Sequence, residues 1–215
     1  MHTLAIDCAT EACSVALFDG NRLIASDYAV LGRGHAERLV PMIAGLPGKG
    51  QAERILVSRG PGSFTGVRIG IAAARALAYA WNAECLGYPT LALVAAQGRQ
   101  SQIQSRLQSQ PEPQPVTVCM HGGHGEWFVQ NFAADMMPED EVRSLAPDAA
   151  KIACRHTLVA GNRAHELASL FAPGEEKLAV DLLPDARHAQ LLREELLSAD
   201  NAPLYGRAPD AKPKL

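Results

Sequence analysis

The sequence lacks several features that would assign the protein to a functional class. Its five cysteines are odd in number and scattered, without the short paired spacings of a zinc site or a redox motif, so reduced thiols are expected. Lys and Arg number 20 against 23 Asp and Glu, and the formal net charge of -3 provides no basic field for a nucleic acid. No long run of like charge is present. If a nucleic acid is involved, we expect a partner to hold most of it.

Long apolar segments are also missing. The longest one, 69–81, is interrupted by Arg75 and is shorter than the ~20 residues of a membrane span. The first residues show no basic region followed by a long apolar stretch, so no signal peptide is predicted. With 47% hydrophobic and 20% charged residues, the composition is that of an ordinary globular protein. We therefore expect a soluble, cytoplasmic protein that does not bind a membrane.

The order of the predicted elements indicates two related halves. Near the N-terminus, two strands flank the turn 7–11 and a third follows the hairpin signal at 19–21. A helix, a short buried strand and an alanine-rich helix come next. The second half shows a similar series around the glycine-bearing turn 121–125. Duplicated βββαβα halves are typical of the actin, hexokinase and Hsp70 superfamily (ASKHA). The pattern predicts an α/β, actin-like fold of two lobes, the second one reduced.

Residues 98–115 form the clearest break between the predicted elements. This segment is rich in Gln and Pro and too polar to bury a core of its own. Its first half is expected to continue the preceding helix. A last helix is predicted over 189–199. The predicted organisation is a first lobe, a linker, a second lobe and an extended tail, over residues 1–98, 99–115, 116–200 and 201–215.

Two turns are candidate anion sites. Asp7 and Thr10 follow a buried strand at a tight turn, where an acid can hold hydrated Mg²⁺ beside a phosphate. Gly62 and Ser63 precede a helix, whose free backbone N–H groups attract anions. The alternative is that these side chains cap the turn and the helix. The local pattern favours this alternative, since neither a matching second acid nor a Walker A spacing is present.

Two histidines, His121 and His124, flank a glycine turn and form a weak candidate metal pair. His156 and His165 would join them only if the fold brought the four together. No metal site is predicted. A Gly-x-Ser-x-Gly elbow is absent around Ser63, so a hydrolytic triad is not predicted either.

Three segments resemble the TsaB family, also called YeaZ. The three segments are 4–16, His35 with 39–43, and 59–70. The resemblance is specific over residues 1–97 and looser after them. It implies a non-catalytic scaffold or activating subunit of the machinery that makes N6-threonylcarbamoyladenosine at position 37 of tRNA (t6A37). It further implies a heterodimer with the catalytic paralogue TsaD, recruitment of the ATPase TsaE, and contact with tRNA only through the complex. A homodimer in isolation is left open.

The resemblance also implies where the partner binds and what it brings. In the family, helices of the first lobe form the dimer, here 35–46 and 67–82. No intrinsic cofactor is implied. ATP or ADP is expected only at an interface with partners. The partner-binding residues so implied are His35, Leu39, Met42, Ile43, Arg68, Ile69 and Ala72.

One comparison with the catalytic paralogue indicates that the chain is not an enzyme. That protein binds its metal through two histidines four residues apart, and Thr90 and Val94 stand at the matching positions here. Valine cannot ligate a metal. The second turn also departs from the Asp-Ala-Arg common in the family, which weakens any case for nucleotide between the lobes. The alternative function is an M22-type metallopeptidase or a nucleotide-hydrolysing ASKHA enzyme.

Overall fold

The structure is a computed structural model that describes residues 1–105 and 114–206. Its first half is built on a five-stranded sheet with the order β3-β2-β1-β4-β5. Strands β1, β2 and β3 are antiparallel, whereas β4 and β5 run parallel to β1. A 3-10 helix, Pro47–Gly50, follows α1. The elements of this half are β1 (His2–Asp7), β2 (Ala12–Asp19), β3 (Arg22–Val30), α1 (His35–Gly45), β4 (Arg54–Ser58), α2 (Phe64–Trp81) and β5 (Glu84–Tyr88).

The second half repeats this topology, and most of its elements are shorter. Its sheet has the order β10-β9-β6-β7-β8, in which β6, β7 and β8 are antiparallel and β9 and β10 run parallel to β6. The prediction of duplicated βββαβα lobes, the second one reduced, is therefore confirmed. The elements are α3 (Thr90–Ser105), β6 (Val116–Gly123), β7 (Glu126–Phe132), β8 (Arg143–Leu145), α4 (Pro147–Ala153), β9 (Leu158–Ala160), α5 (Ala164–Ser169) and β10 (Leu178–Val180).

The two faces of the first sheet are buried against different parts of the chain. Successive side chains of a strand point to opposite faces. Leu4 and Ile6 of β1 accordingly pack with α1 and α2, while Ala5 packs on the opposite face. There, the small side chains of Ala5 and Ala16 leave room for Ala186, which comes from the far end of the chain.

The predicted helix over 189–199 is wrong. This part of the chain forms two 3-10 helices, Ala186–Leu191 and Glu194–Leu196, separated by extended residues. A straight helix presents one apolar stripe, whereas the neighbours Leu196 and Leu197 pack against the cores of different lobes. Residues 186–204, which the sequence assigned to the second lobe and the tail, in fact contact the first sheet and its loops.

The linker and the tail are described only in part. Helix α3 runs through Ser105, so the first part of the predicted linker is helical, as expected. Its remaining residues, 106–113, and the tail residues 207–215 lie outside the described residues. The division into lobes at 98 and 115 stays a prediction. None of the helices in the described ranges is long and apolar enough to cross a membrane.

A close contact joins the first turn of α2 to the end of β1, and it can be tested at Gly66. A Cβ atom at this position would lie closer than 3.0 Å to the backbone carbonyl oxygen of Cys8, which has no freedom to move aside. We expect Gly66→Ala to lower the free energy of unfolding by about 1–3 kcal/mol, as overpacked substitutions do. Urea denaturation measures this change.

Gly45→Ala is the matched control, because Gly45 also lies in a helix but has no atom within 4 Å of its Cβ position. Alanine has the higher helix propensity, so this variant is expected to be neutral or more stable by up to about 1 kcal/mol. Equal effects at the two positions would contradict the close contact.

Candidate functional site

A cleft of about 380 Å³ lies between the two lobes. The first lobe contributes the β1–β2 turn and the glycine loop before α2, and the second contributes the β6–β7 turn. Glu11 and Asn162 approach each other across it, because the Asn162 side-chain amide donates to a Glu11 carboxylate oxygen at 3.3 Å. The polar groups on the wall come from Thr10, Glu11, Ser63, His121, His124 and Asn162.

The hydroxyl groups on the wall act as caps. Thr10 Oγ1 accepts a hydrogen bond from Ala12 N at 3.2 Å, and Ser63 Oγ accepts one from Gly66 N at 3.2 Å. Ser63 is the N-cap of α2, and its own N–H donates to Ala9 O at 2.6 Å. Of the four candidate anion-binding residues, Thr10, Gly62 and Ser63 lie on the wall. Their geometry is that of the capping alternative, and anion binding stays a prediction.

Asp7, the fourth candidate, does not lie on the cleft wall. Its carboxylate is fully buried, where one oxygen accepts from Ala9 N at 2.9 Å and the other accepts from the Tyr88 hydroxyl at 3.1 Å. Burial raises the pKa of Asp7 to about 6, although both hydrogen bonds act in the opposite direction. The side chain thus faces a tyrosine of β5, and its hydrogen bond from Ala9 N is of the local kind that the capping alternative describes. A role beside a phosphate stays a prediction.

The four histidines named from the sequence are not brought together. His121 Nδ1 lies 3.4 Å from a guanidinium nitrogen of Arg163. His156 pairs with Glu139 at 3.1 Å, and His165 pairs with Asp181 at 2.9 Å. In residues 1–105 and 114–206, no group of three or more His, Cys, Asp or Glu side chains is arranged to hold a metal ion.

The positions that match the metal ligands of the catalytic paralogue are packed into the protein. Thr90 is buried, and its hydroxyl lies 2.6 Å from the hydroxyl of Ser58. Val94 is fully buried in the core of the second lobe. Both side chains are therefore committed to internal contacts.

Four of the seven residues predicted to bind a partner are buried in the core of the first lobe. Leu39, Met42 and Ile43 pack against the sheet, and the His35 ring nitrogen Nε2 contacts Ala12 O at 3.2 Å. These four side chains leave little surface for a partner, and their partner-binding role stays a prediction. On α2, Arg68 and Ile69 are half-buried and Ala72 is exposed, so their partner-binding role stays a prediction.

Beside the predicted Ala72, the outer face of α2 carries residues that the sequence interpretation missed. Tyr79 is 92% exposed, although it lies in a helix with many apolar residues. Ala72 and Ala76 are exposed on the same side, and Val40 of the adjacent helix α1 is 59% exposed. The signal was the recurrence of Arg68, Arg75 and Tyr79 at helical spacing, which marks the side of α2 that is turned to solvent.

An aromatic cluster closes the N-terminal end of this face. The Arg68 guanidinium lies 3.3 Å above the centre of the Phe64 ring and 5.3 Å from that of Tyr205. It donates to Phe64 O at 2.9 Å and also contacts the Tyr205 hydroxyl. Cation–π contacts of this kind hold the last described part of the chain against α2.

The duplicated lobes, their shared strand order and the cleft between them define the class as actin-like, ASKHA-fold proteins. A family model described as "TsaD: tRNA N6-adenosine threonylcarbamoyltransferase" matches residues 29–192. Over its length the chain is also similar to the structure of YeaZ from Pseudomonas aeruginosa, with a TM-score of 0.75 and 27% identity, covering 95% of this chain and 99% of that one.

Two curated relatives carry the name tRNA threonylcarbamoyladenosine biosynthesis protein TsaB. The one from Escherichia coli (strain K12) is 43% identical over 103 residues, which are 46% of this chain and 44% of the relative. The one from Haemophilus influenzae is 34% identical over 140 residues, 58% of each chain. The matched region spans about half the length of these relatives. The chain therefore belongs to the family that the TsaD model describes, and the relatives named TsaB and the YeaZ structure support its identification as a TsaB/YeaZ member of it.

The buried Asp7 predicts a pH dependence of stability. Because its pKa in the folded protein is about 6, against about 4 in an unfolded chain, the folded state binds the proton more tightly. The contribution of Asp7 to stability is therefore largest below about pH 4 and falls as the pH rises to about 6. We expect the free energy of unfolding of the wild type to lose about 2–3 kcal/mol over this window relative to Asp7→Asn.

Urea denaturation of both proteins at a series of pH values measures the difference. A third protein, Tyr88→Phe, sharpens the test, because the tyrosine hydroxyl stabilises the charged carboxylate. Removing this hydroxyl should shift the decline in the free energy of unfolding to higher pH. A constant difference between wild type and Asp7→Asn from pH 4 to 7 would contradict the raised pKa.

Proposed function

We propose that this chain is a non-catalytic scaffold or activating subunit of the machinery that makes t6A37 in tRNA, and that it heterodimerises with a TsaD-type protein. The relatives named TsaB support the pathway, and the match to the TsaD model supports a related partner. The structural observation on which the proposal rests is the outer side of α1 and α2, where apolar and small residues are exposed. We call Val40, Ala72, Ala76 and Tyr79 the docking face.

The docking face has the chemistry of a helix-packing interface. Small side chains at Ala72 and Ala76 allow the backbone of a partner helix to approach closely, and Tyr79 supplies an aromatic anchor of the kind that dominates binding energies. Arg75 is exposed beside them and can form polar contacts at the rim. The inner side of the same helix holds the core through Val67, Ile71 and Ala74. A partner therefore has access to α2 without disturbing the fold.

The residues at the positions of the paralogue's metal ligands support a non-catalytic role. Thr90 and Val94 are packed internally, so neither side chain points to a substrate. We further propose that TsaE joins the complex, that ATP or ADP binds only at an interface between subunits, and that tRNA is held through the complex. The net charge of -3 supports the last point.

The docking face can be tested by introducing a charge into it. We expect Tyr79→Asp and Ala72→Asp each to weaken binding to the TsaD-type protein of the same organism at least tenfold, because a carboxylate would be desolvated in an apolar interface. Titration calorimetry measures the affinities. Ile152→Asp is the matched control, since Ile152 is 87% exposed but lies on α4 of the second lobe; it should bind as the wild type does.

Two results would refute this assignment. Unchanged affinity of both variants, with thermal unfolding like that of the wild type, would show that the partner binds elsewhere. The second result concerns the oligomeric state, which light scattering measures. If the wild type is a homodimer that Tyr79→Asp converts to a monomer while affinity for the TsaD-type protein persists, the docking face serves a second copy of this chain instead.

A further inference from the structure

Two cysteines face each other across the turn between β1 and β2. The antiparallel ladder of β1 and β2 ends at the pair Asp7 and Ser14, and Cys8 and Cys13 are the next residues beyond it. Their sulfur atoms lie 3.6 Å apart, and both side chains are buried in the core below α2. Of the remaining cysteines, Cys85 lies on β5, Cys119 on β6, and Cys154 directly after α4.

The two thiols differ in their chemistry. The sulfur–sulfur hydrogen bond, together with burial, raises the pKa of Cys8, and the same hydrogen bond lowers the pKa of Cys13. Because the thiolate is the nucleophilic form of cysteine, these directions support Cys13 as the attacking thiol and Cys8 as the resolving one. Two thiols in direct contact can be joined by oxidation with little movement of the chain.

We propose that Cys8 and Cys13 form a reversible intrachain disulfide when a hydroperoxide oxidises the pair, and that this bond locks the turn at the wall of the cleft. The sulfur atoms must move from 3.6 Å to about 2.05 Å apart. Directly opposite residues of an antiparallel pair have Cα atoms about 4.5–5.5 Å apart, within the range that a disulfide spans. The bond therefore requires only a local adjustment. Its formation is independent of the function proposed above.

The reaction balances with hydrogen peroxide as the oxidant. The Cys13 thiolate attacks one peroxide oxygen, the O–O bond breaks, and a sulfenic acid and hydroxide are formed. The Cys8 sulfur then attacks the Cys13 sulfur, so that the S–S bond forms, the S–O bond breaks, and water leaves with the proton of Cys8. In sum, two thiols lose two hydrogens and one peroxide becomes two waters. A dithiol reductant reverses the bond by exchange.

The turn between these cysteines forms part of the cleft wall. Ala9 O accepts the hydrogen bond from Ser63 N, and Glu11 bonds to Asn162 of the second lobe. A cross-link from residue 8 to residue 13 restricts the residues that make both contacts. Since the thiols are buried, peroxide reaches them through local opening of the turn. The redox state of the pair is in this way coupled to the wall of the cleft.

Peptide mass spectrometry of the full chain tests the proposal. The folded protein is treated with hydrogen peroxide, unfolded, alkylated and digested with trypsin. Residues 1–22 form one tryptic peptide that contains Cys8 and Cys13 and no other cysteine. We expect this peptide to lose two hydrogens and to carry no alkyl group, and dithiothreitol to restore double alkylation. If both cysteines are still alkylated at a peroxide dose that oxidises Cys85, the proposal is overturned.

Two variants test the order of the steps and the effect on the cleft. In Cys8→Ser the sulfenic acid on Cys13 has no resolving thiol, so dimedone should label it, whereas in Cys13→Ser the remaining Cys8 should stay unlabelled. The reverse pattern would refute the assigned roles. Hydrogen exchange of the amides at 9–12 should slow in the oxidised wild type and not in peroxide-treated Cys8→Ser. Unchanged exchange would overturn the coupling to the cleft.

Discussion

The close approach of the glycine loop to the end of β1 is the constraint on which the rest of the first lobe depends. At Gly62 and Gly66, a Cβ atom would lie closer than 3.0 Å to the carbonyl oxygens of Ala9 and Cys8. This contact lets Ser63 cap α2 and donate its own N–H to Ala9 O. The loop looks in sequence like a phosphate cradle. In the structure its geometry serves the protein's own backbone, and the turn that it holds forms one wall of the cleft.

The same contact sets the orientation of α2, and with it the division of its surface. Its inner side reaches the sheet through small or branched residues such as Ala74 and Ile71. Its outer side leaves Ala72 and Tyr79 exposed. One alanine-rich helix thus supplies both the core and the proposed docking face, and apolar residues occur on nearly all of its sides. Core packing fixes the position of the docking face because the two sides belong to one rigid element.

The second lobe is connected to this arrangement by the return of the chain. Ala186 N donates to the Ser14 hydroxyl, Ser198 exchanges backbone hydrogen bonds with Gly87, and Leu204 N donates to Arg59 O. Each contact joins residues more than a hundred positions apart. The returning segment covers the face of the first sheet opposite α1 and α2. The first lobe is therefore completed by residues that follow the second lobe. The chain connects the two lobes on either side of the cleft twice, once between them in sequence and once through this returning segment.

Local patterns in the sequence predicted the elements of the first lobe and the similarity of the two halves, because hydrophobic periods and glycine turns act over a few residues. They did not predict β8, α4 and β10 of the second lobe. They also showed that Ser63 could cap α2. The tertiary structure alone decided which partner each buried group has. Leu39 and Ile43 have the same helical spacing whether a sheet or another protein covers them. Asp7 contacts a tyrosine 81 residues away. The segment that is helical by pattern bends in the structure, where Leu192 packs against other parts of the chain. Burial against distant segments depends on the whole fold, and no local pattern contains it.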